Sequence, residues 1–265
     1  MPARTRTPLP YLIPLLLACT ALLALTAYLL GGSPTARGNR PPDTEAAGTV
    51  GGPSNAPPPI ACVVIDAGHG GEDGGTSSAA GVLEKDLNLS VAFALRDLFE
   101  AAGVPVVMTR TEDKLLYDRN VDFRGRKKVL DLAARRLVAE KTAAEAERCG
   151  GVCLFISIHM NAFPQPQYSG MQVWYSTGHP LSAEAAGGIQ SASAAILLDN
   201  HRKIKAAGSN IYLLDRIKSP AVLVECGFLS NPAEAERLSR EEYRYAVAAV
   251  VFAGVIAVYR TDKPQ

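Results

Sequence analysis

A chain of 265 residues is long enough for one sizeable domain with extensions, or for two small ones. Its 27 Lys and Arg against 26 Asp and Glu leave a formal net charge of +1. That excludes a long-range field that would recruit nucleic acid, and no basic run with interleaved aromatics appears.

The amino terminus differs in kind from the rest. Residues 1–10 are basic, with Arg4 and Arg6, and Tyr11 to Leu30 is about twenty residues without a charge, enough to cross a bilayer as a helix. Basic residues before the span and the bulk of the chain after it direct the carboxyl side out of the cytoplasm. A cleaved signal is the competing reading, but its apolar region runs to about 7–15 residues. Leu16-Leu17-Ala18-Cys19 resembles part of a lipoprotein processing site, yet the apolar run continues past it. Residues 31–59 are rich in Gly, Pro, Ser, Ala and Asn and read as a flexible linker. A folded domain is expected over 60–262.

That domain opens with an apolar strand, Cys62 to Asp66, running into Gly68-His69-Gly70-Gly71. Glu84-Lys85-Asp86 leads into a helix over Asp86–Ala102, with Leu87, Val91, Leu95 and Leu98 at helical spacing and Gly103 as its stop. Val104 to Thr109 reads as a second strand and Lys114 to Gly125 as an exposed connection. Lys127 to Arg148 is helix-forming, with Leu130, Leu132, Leu137 and Val138 as its apolar positions. Cys153 to Ile158 is a strand running into His159-Met160-Asn161, and Gly170 to Tyr175 a further strand. A helix follows over Ala183–Leu198, then a short strand at Ile211–Leu214. The strand Ala221 to Val224 runs into Glu225-Cys226-Gly227, and a helix over Glu241–Tyr259 closes the domain. Strands alternating with helices predict a single α/β domain: a twisted, largely parallel sheet with helices on both faces, preceded by one N-terminal transmembrane helix.

The five cysteines do not make a disulfide framework. Cys62 and Cys226 read as small buried hydrophobes, and Cys149 with Cys153 forms a candidate local bridge.

Three of the strands end in chemistry-bearing residues, and in open α/β sheets ligands collect beyond such carboxyl ends. A catalytic zinc takes three protein ligands and leaves one position for water. His69 and His159 supply two. Glu84 is a candidate third, because the Gly-rich loop from Gly70 to Gly81 could carry it back to the metal; its other reading is to complement a helix dipole. Asp66, Glu72, Asp73 and Asp86 compete for the place, and spacing leaves the choice open. Glu225 ends a wholly apolar strand, which raises its pKa and suits a general acid/base that takes a proton from water and returns it to a leaving amine. A structural salt bridge is the alternative. The chemistry indicated is amide hydrolysis.

Four segments carry a family resemblance: Val64-Ile65-Asp66-Ala67-Gly68-His69-Gly70-Gly71-Glu72-Asp73-Gly74-Gly75, Glu84-Lys85-Asp86-Leu87-Asn88-Leu89, Ser157-Ile158-His159-Met160-Asn161-Ala162 and Val224-Glu225-Cys226-Gly227-Phe228-Leu229-Ser230-Asn231. In that order they resemble the motifs of zinc-dependent N-acetylmuramoyl-L-alanine amidases, which act on peptidoglycan. The resemblance implies His69, Glu84 and His159 as Zn²⁺ ligands, Glu225 as the catalytic acid/base, and 60–262 as the catalytic domain. The anchor and short tether, with Arg202-Lys203-Ile204-Lys205 and Ile211-Tyr212-Leu213-Leu214, look like the spore-cortex amidases of endospore formers (CwlD type). Those strip the peptide from muramic acid so that a partner deacetylase can form muramic-δ-lactam. That implies peptidoglycan and a deacetylase of the same pathway as partners, with an activator protein as a further candidate partner whose requirement the sequence leaves open, and a location at the membrane with the domain outside the cytoplasm, in the cell envelope or the forespore intermembrane space. One departure is the Ala- and charge-rich stretch Asp131 to Gly151, expected to lie clear of the ligands.

Among other polar residues, Asp66 and Asn161 are candidates to orient His69 and His159, and Arg110 and Arg119 to hold substrate carboxylates. His179 and His201 read as bystanders, and Trp174 and Tyr175 as strand packing. Two other function classes share these residues: a zinc peptidase of the wall stem peptides and an inactive wall-binding protein.

Overall fold

The computed structural model describes residues 60–118, 120, 125–197 and 200–259. The expected anchor at 11–30, the linker at 31–59 and Arg119 lie outside these residues. Among the described residues no helix is long and apolar enough to cross a membrane.

The strands are β1 (Ile60–Ala67), β2 (Val106–Met108), β3 (Val152–Asn161), β4 (Gln172–Tyr175), β5 (Lys205–Ala206) and β6 (Ala221–Phe228). The helices are α1 (Glu84–Ala101), α2 (Lys127–Arg148), α3 (Pro180–Ile196), α4 (Tyr212–Arg216), α5 (Pro232–Ser239) and α6 (Glu241–Val258). One sheet runs β2-β1-β3-β6-β4-β5. β2, β1, β3 and β6 are mutually parallel, whereas β4 runs antiparallel to β6 and takes β5 with it. The sheet is therefore mixed, and the chain between β3 and β4 explains why. A parallel return needs a long crossover, usually helical; no helix intervenes between Asn161 and Gln172, and the chain comes back reversed.

Alternation along the central strands sorts the two faces. Val63, Ile65, Leu154, Ile156, Ile158, Val222 and Val224 pack with the apolar faces of α1, α3, α5 and α6. Val64, Phe155, Ala221 and Leu223 face α2 and α4. α1 ends as its sequence indicates: Gly103 adopts a left-handed φ of 77°, and its N–H and that of Val104 cap the carbonyls of Glu100 and Phe99.

Two local expectations are corrected, and one helix is added. Ile211–Leu214 is not a strand; Tyr212–Arg216 is a helical turn with Leu213 and Leu214 both buried against the sheet, which alternating strand residues could not achieve on one face. α2 buries its expected apolar positions only in part: Leu132 and Val138 pack partly buried against the sheet, Leu137 is 65% exposed, and the fully inward face is Asp131, Arg135, Ala139, Ala143 and Ala146. Small side chains let this helix lie close to the sheet. Finally, α5 was not anticipated, although Asn231 accepts hydrogen bonds from the N–H groups of Ala233 and Glu234 and Pro232 occupies the first turn, both helix-start signals.

Helices α3 and α6 meet at Gly188 and Gly254. A Cβ on Gly188 would fall on the Gly254 carbonyl, and one on Gly254 would fall on the Ile189 backbone. Gly254→Ala is expected to destabilise the domain by about 1–3 kcal/mol through overpacking. Urea unfolding would read this as a lower midpoint with unchanged slope; an unchanged midpoint would show that the helices separate freely.

Candidate metal centre

The site lies at the carboxyl-end edge of the sheet, just past β1 and within the last few residues of β3 and β6. β1 runs out through Gly68 into His69, whose φ of 61° is uncommon for a residue with a side chain. The following loop folds back on itself through bridges between Gly70 and Asp73 and between Ser77 and Leu83. It delivers Glu84 as the first residue of α1, where the Glu84 N–H donates to the Thr76 carbonyl and the Thr76 N–H to Glu84 Oε2 at 2.8 Å. His159 sits near the end of β3, directly across from Glu225 on β6.

Glu84 Oε1 lies 2.9 Å from His159 Nδ1 and 3.2 Å from His69 Nε2. The imidazole rings stand edge to face with centroids 5.0 Å apart, and one donor atom from each of the three residues lies within 4.8 Å of the others. Glu84 is only 3% exposed and also accepts from the Met160 N–H and the Asn88 amide. Burial opposes its ionisation, but the two imidazoles outweigh burial and hold its carboxyl far below the ordinary carboxylate range. Burial likewise opposes a charged His69, yet Glu84 and Asp73 raise its pKa above the usual value. Two imidazoles and a carboxylate are the donor set of a catalytic zinc. The cradle is tight: a Cβ at Gly68 would strike the His159 ring, and one at Gly75 would strike Glu84 and His69.

Beside this trio, Glu225 Oε2 is sealed from solvent and has no hydrogen-bond partner. Burial pushes its pKa up to about 7; His159 works against that shift and the charge of Glu84 adds to it.

The other expected site residues are placed differently. Asp66 does not reach the His69 ring; it is wholly buried and accepts from Arg135, Thr109 and Ser157 at 2.6–2.7 Å. The carboxylate beside His69 is Asp73, with Oδ2 2.9 Å from Nδ1, leaving Nε2 to face Glu84. Its place four residues on in a glycine-rich loop was the available signal, but it read only as a competing ligand. Asn161 makes no side-chain hydrogen bond to His159; its carbonyl accepts from Leu229. Arg110 does not face substrate. Only 2% exposed, it donates to the carbonyls of Ala67, Gly68, Lys85 and Glu112 and so ties the loop to α1. His179 caps α3 through its ring.

Arg135 was missed altogether. From α2 it donates to Asp66, to the Ala67 carbonyl and, at 2.6 Å, to the His69 carbonyl, while Asp131 holds its Nε. The stretch from Asp131 therefore does not lie clear of the site, and its Asp131/Arg135 pair at helical spacing was the readable sign. Nor do Cys149 and Cys153 pair: Cys149 is exposed at the end of α2, Cys153 is buried across from Cys62, and both are free thiols.

Comparison with known proteins bears on this arrangement. Residues 63–257 match the family model described as N-acetylmuramoyl-L-alanine amidase. A germination-specific N-acetylmuramoyl-L-alanine amidase of Bacillus subtilis is 36% identical over 201 residues, which cover 76% of this chain and 80% of the relative. The CwlD amidase of Clostridioides difficile, solved in complex with the GerS lipoprotein, superposes with a TM-score of 0.68 at 34% identity, over 76% of this chain and 99% of that one. An N-acetylmuramoyl-L-alanine amidase from Clostridium difficile 630 gives a TM-score of 0.60 at 28% identity, over 75% and 96%.

Proposed function

The chain belongs to the N-acetylmuramoyl-L-alanine amidase family, and from that premise we propose a zinc-dependent hydrolase of the amide bond between the lactyl group of N-acetylmuramic acid and L-alanine in peptidoglycan. The observation that carries this reading is the convergence of His69, Glu84 and His159 within 4.8 Å, with the unpartnered carboxylate of Glu225 across from His159.

His69, Glu84 and His159 would hold the ion. Bound there, zinc would polarise the scissile carbonyl and make water acidic near neutral pH. Asp73 Oδ2 stands 2.9 Å from His69 Nδ1 and would accept that nitrogen's proton in a hydrogen bond when Nε2 turns to the ion. Glu225 takes the proton of the attacking water as its oxygen adds to the carbonyl carbon. It then gives that proton to the amine nitrogen as the C–N bond breaks. A carboxyl poised near pH 7 serves both steps, because its two protonation states are close in free energy.

The zinc-loaded chain is expected to release peptides with a free L-alanine amino terminus and to leave muramoyl residues with a free lactyl carboxyl. Chelation should abolish turnover and added zinc restore it. Equal rates with and without chelator would refute the metal, and a cut inside the stem peptide would make the protein a peptidase instead.

Sequence kinship to a germination-specific enzyme supports a narrower role in the spore cortex, clearing muramic acid for conversion to muramic-δ-lactam by a deacetylase. An activator protein belongs to this reading, since the C. difficile relative was solved with a lipoprotein bound. The uncharged run at 11–30 supports an anchor that places the domain outside the cytoplasm, where peptidoglycan is. Cortex from cells lacking the protein would then contain no muramic-δ-lactam; normal lactam content would end the cortex assignment.

A further inference from the structure

One guanidinium on the reactive face has no anionic partner among the described residues. Gln172 on β4 is the register partner of Glu225, and partners on neighbouring strands project to the same side of a sheet. Phe228 is the register partner of Asn161, two residues after His159 on β3; the extra residue of a bulge in β6 between Glu225 and Phe228 brings Phe228 to the side of Asn161 and His159. Arg202, in the segment leading to β5, touches both flanks. Its Nη1 lies 3.4 Å from Gln172 Oε1, and its guanidinium carbon stands 4.4 Å from the centre of the Phe228 ring. Nε donates to the Ser169 carbonyl at 2.6 Å, and the Tyr168 ring lies 6.0 Å from the same carbon.

These contacts hold the planar group in place without neutralising it. Among the described residues no carboxylate pairs with Arg202, and Nη2 has no hydrogen-bond partner. Glu234, on α5, is already committed to the N–H groups of Gly170 and Phe228 and to Arg237. A half-buried cation stacked on one ring, with free donors on its outer edge, is built for a planar anion taken in two parallel hydrogen bonds. Lys203 and Lys205 are exposed beside it, while Tyr168 and Phe163, both more than 40% exposed, wall the approach.

We propose that Arg202 forms an anion subsite one strand out from Glu225 and binds a carboxylate of the peptide that the amidase reaction releases; this rests on the amidase reading above. Neighbouring strands are about 4.8 Å apart, and an extended peptide advances about 3.3–3.6 Å per residue. The carboxylate read by Arg202 therefore belongs to one of the first few residues beyond the scissile amide. The catalytic trio sets which bond breaks, and Arg202 selects acidic over amidated peptides.

The test compares two muramoyl peptides that differ only in whether the second stem residue carries a free α-carboxylate or a carboxamide, with the full-length, zinc-loaded chain. The wild type is expected to favour the carboxylate by about 10- to 100-fold in kcat/KM, the worth of a charge-assisted hydrogen bond. Most of the change should lie in KM. Arg202→Gln should bring that ratio close to one, and Arg202→Lys should keep part of it. A wild type indifferent to amidation at every carboxylate of the stem peptide, or an Arg202→Gln variant that keeps the full ratio, overturns the subsite. The first comparison needs no variant and so survives a failure of Arg202→Gln to fold. Cleavage of neither peptide, at any carboxylate state, overturns the amidase reading and the subsite with it.

Discussion

Replacing Glu225 by glutamine is expected to lower kcat by about 10²–10⁴-fold, the usual worth of a general acid/base, and to leave zinc binding intact. The substitution keeps the shape of the side chain but removes its capacity to accept a proton. The other carboxylates around the site are already engaged, Glu84 with both histidines, Asp73 with His69 and Asp66 with Arg135. Stability should move the other way. Burial raises the Glu225 pKa from 4.5 to about 7, so folding takes up a proton between those values. The folded state then loses stability as pH rises through that window, by about 3 kcal/mol once above it. Chelated Glu225→Gln is therefore expected to melt higher than chelated wild type at pH 8, with the difference vanishing at pH 4. Full activity in the variant would show that Glu225 is not the proton carrier, and a pH-independent difference in melting would show that it is not buried at a cost.

Arg135→Ala gives the second large effect. It leaves Asp66 ionised inside the domain, with only the Thr109 and Ser157 hydroxyls as donors, and frees the His69 carbonyl. Breaking a buried pair from one side costs about 3–5 kcal/mol. The His69 backbone, held in its left-handed conformation partly by this guanidinium, should also lose its aim, weakening zinc by about 10–100-fold as for other supports of ligand residues. Denaturant unfolding and competition against a chromogenic chelator measure the two losses separately. Stability lost with zinc affinity unchanged would confine Arg135 to the core. The same network predicts an acid limit. Burial opposes ionisation of Asp66, but Arg135 and the hydroxyls overcome it and lower its pKa. Its contribution is complete above the ordinary value of 3.8 and is lost as pH falls below that toward the depressed value in the folded protein. Arg135→Ala should flatten this acid limb in unfolding curves recorded from pH 6 downward.

The central strands were legible because they are buried on both faces, so β-branched apolar runs mark them without reference to anything distant. α1 was legible for a similar local reason, with Leu87, Val91 and Leu95 on one stripe and a glycine at its end. α2 was legible as a helix, but its orientation was not. Hydrophobicity picked out Leu137, whereas the inner face consists of three alanines and a buried ion pair whose partners sit on another element. Ile211–Leu214 misled because a short apolar run suits a strand or one helical turn equally well. Arg110 and Asp66 misled for one shared reason: an arginine or aspartate near a ligand motif looks the same in sequence whether it faces substrate or braces backbone.

What the sequence determined by itself was the set of reactive groups and their delivery to one edge of a sheet. Strand propensity, chain order and the residue that ends each strand are local properties. What only the tertiary structure decided was which of the acidic residues meets the histidines, and which hold them in place. Glu84, Asp73 and Asp66 all lie within reach of His69 along a glycine-rich chain that fixes no direction, so spacing could not separate them. The choice is made by hydrogen bonds spanning 69 residues from Arg135 to Asp66 and 75 from His159 to Glu84. Such contacts exist only after the sheet has brought β1, β3 and the two helices together.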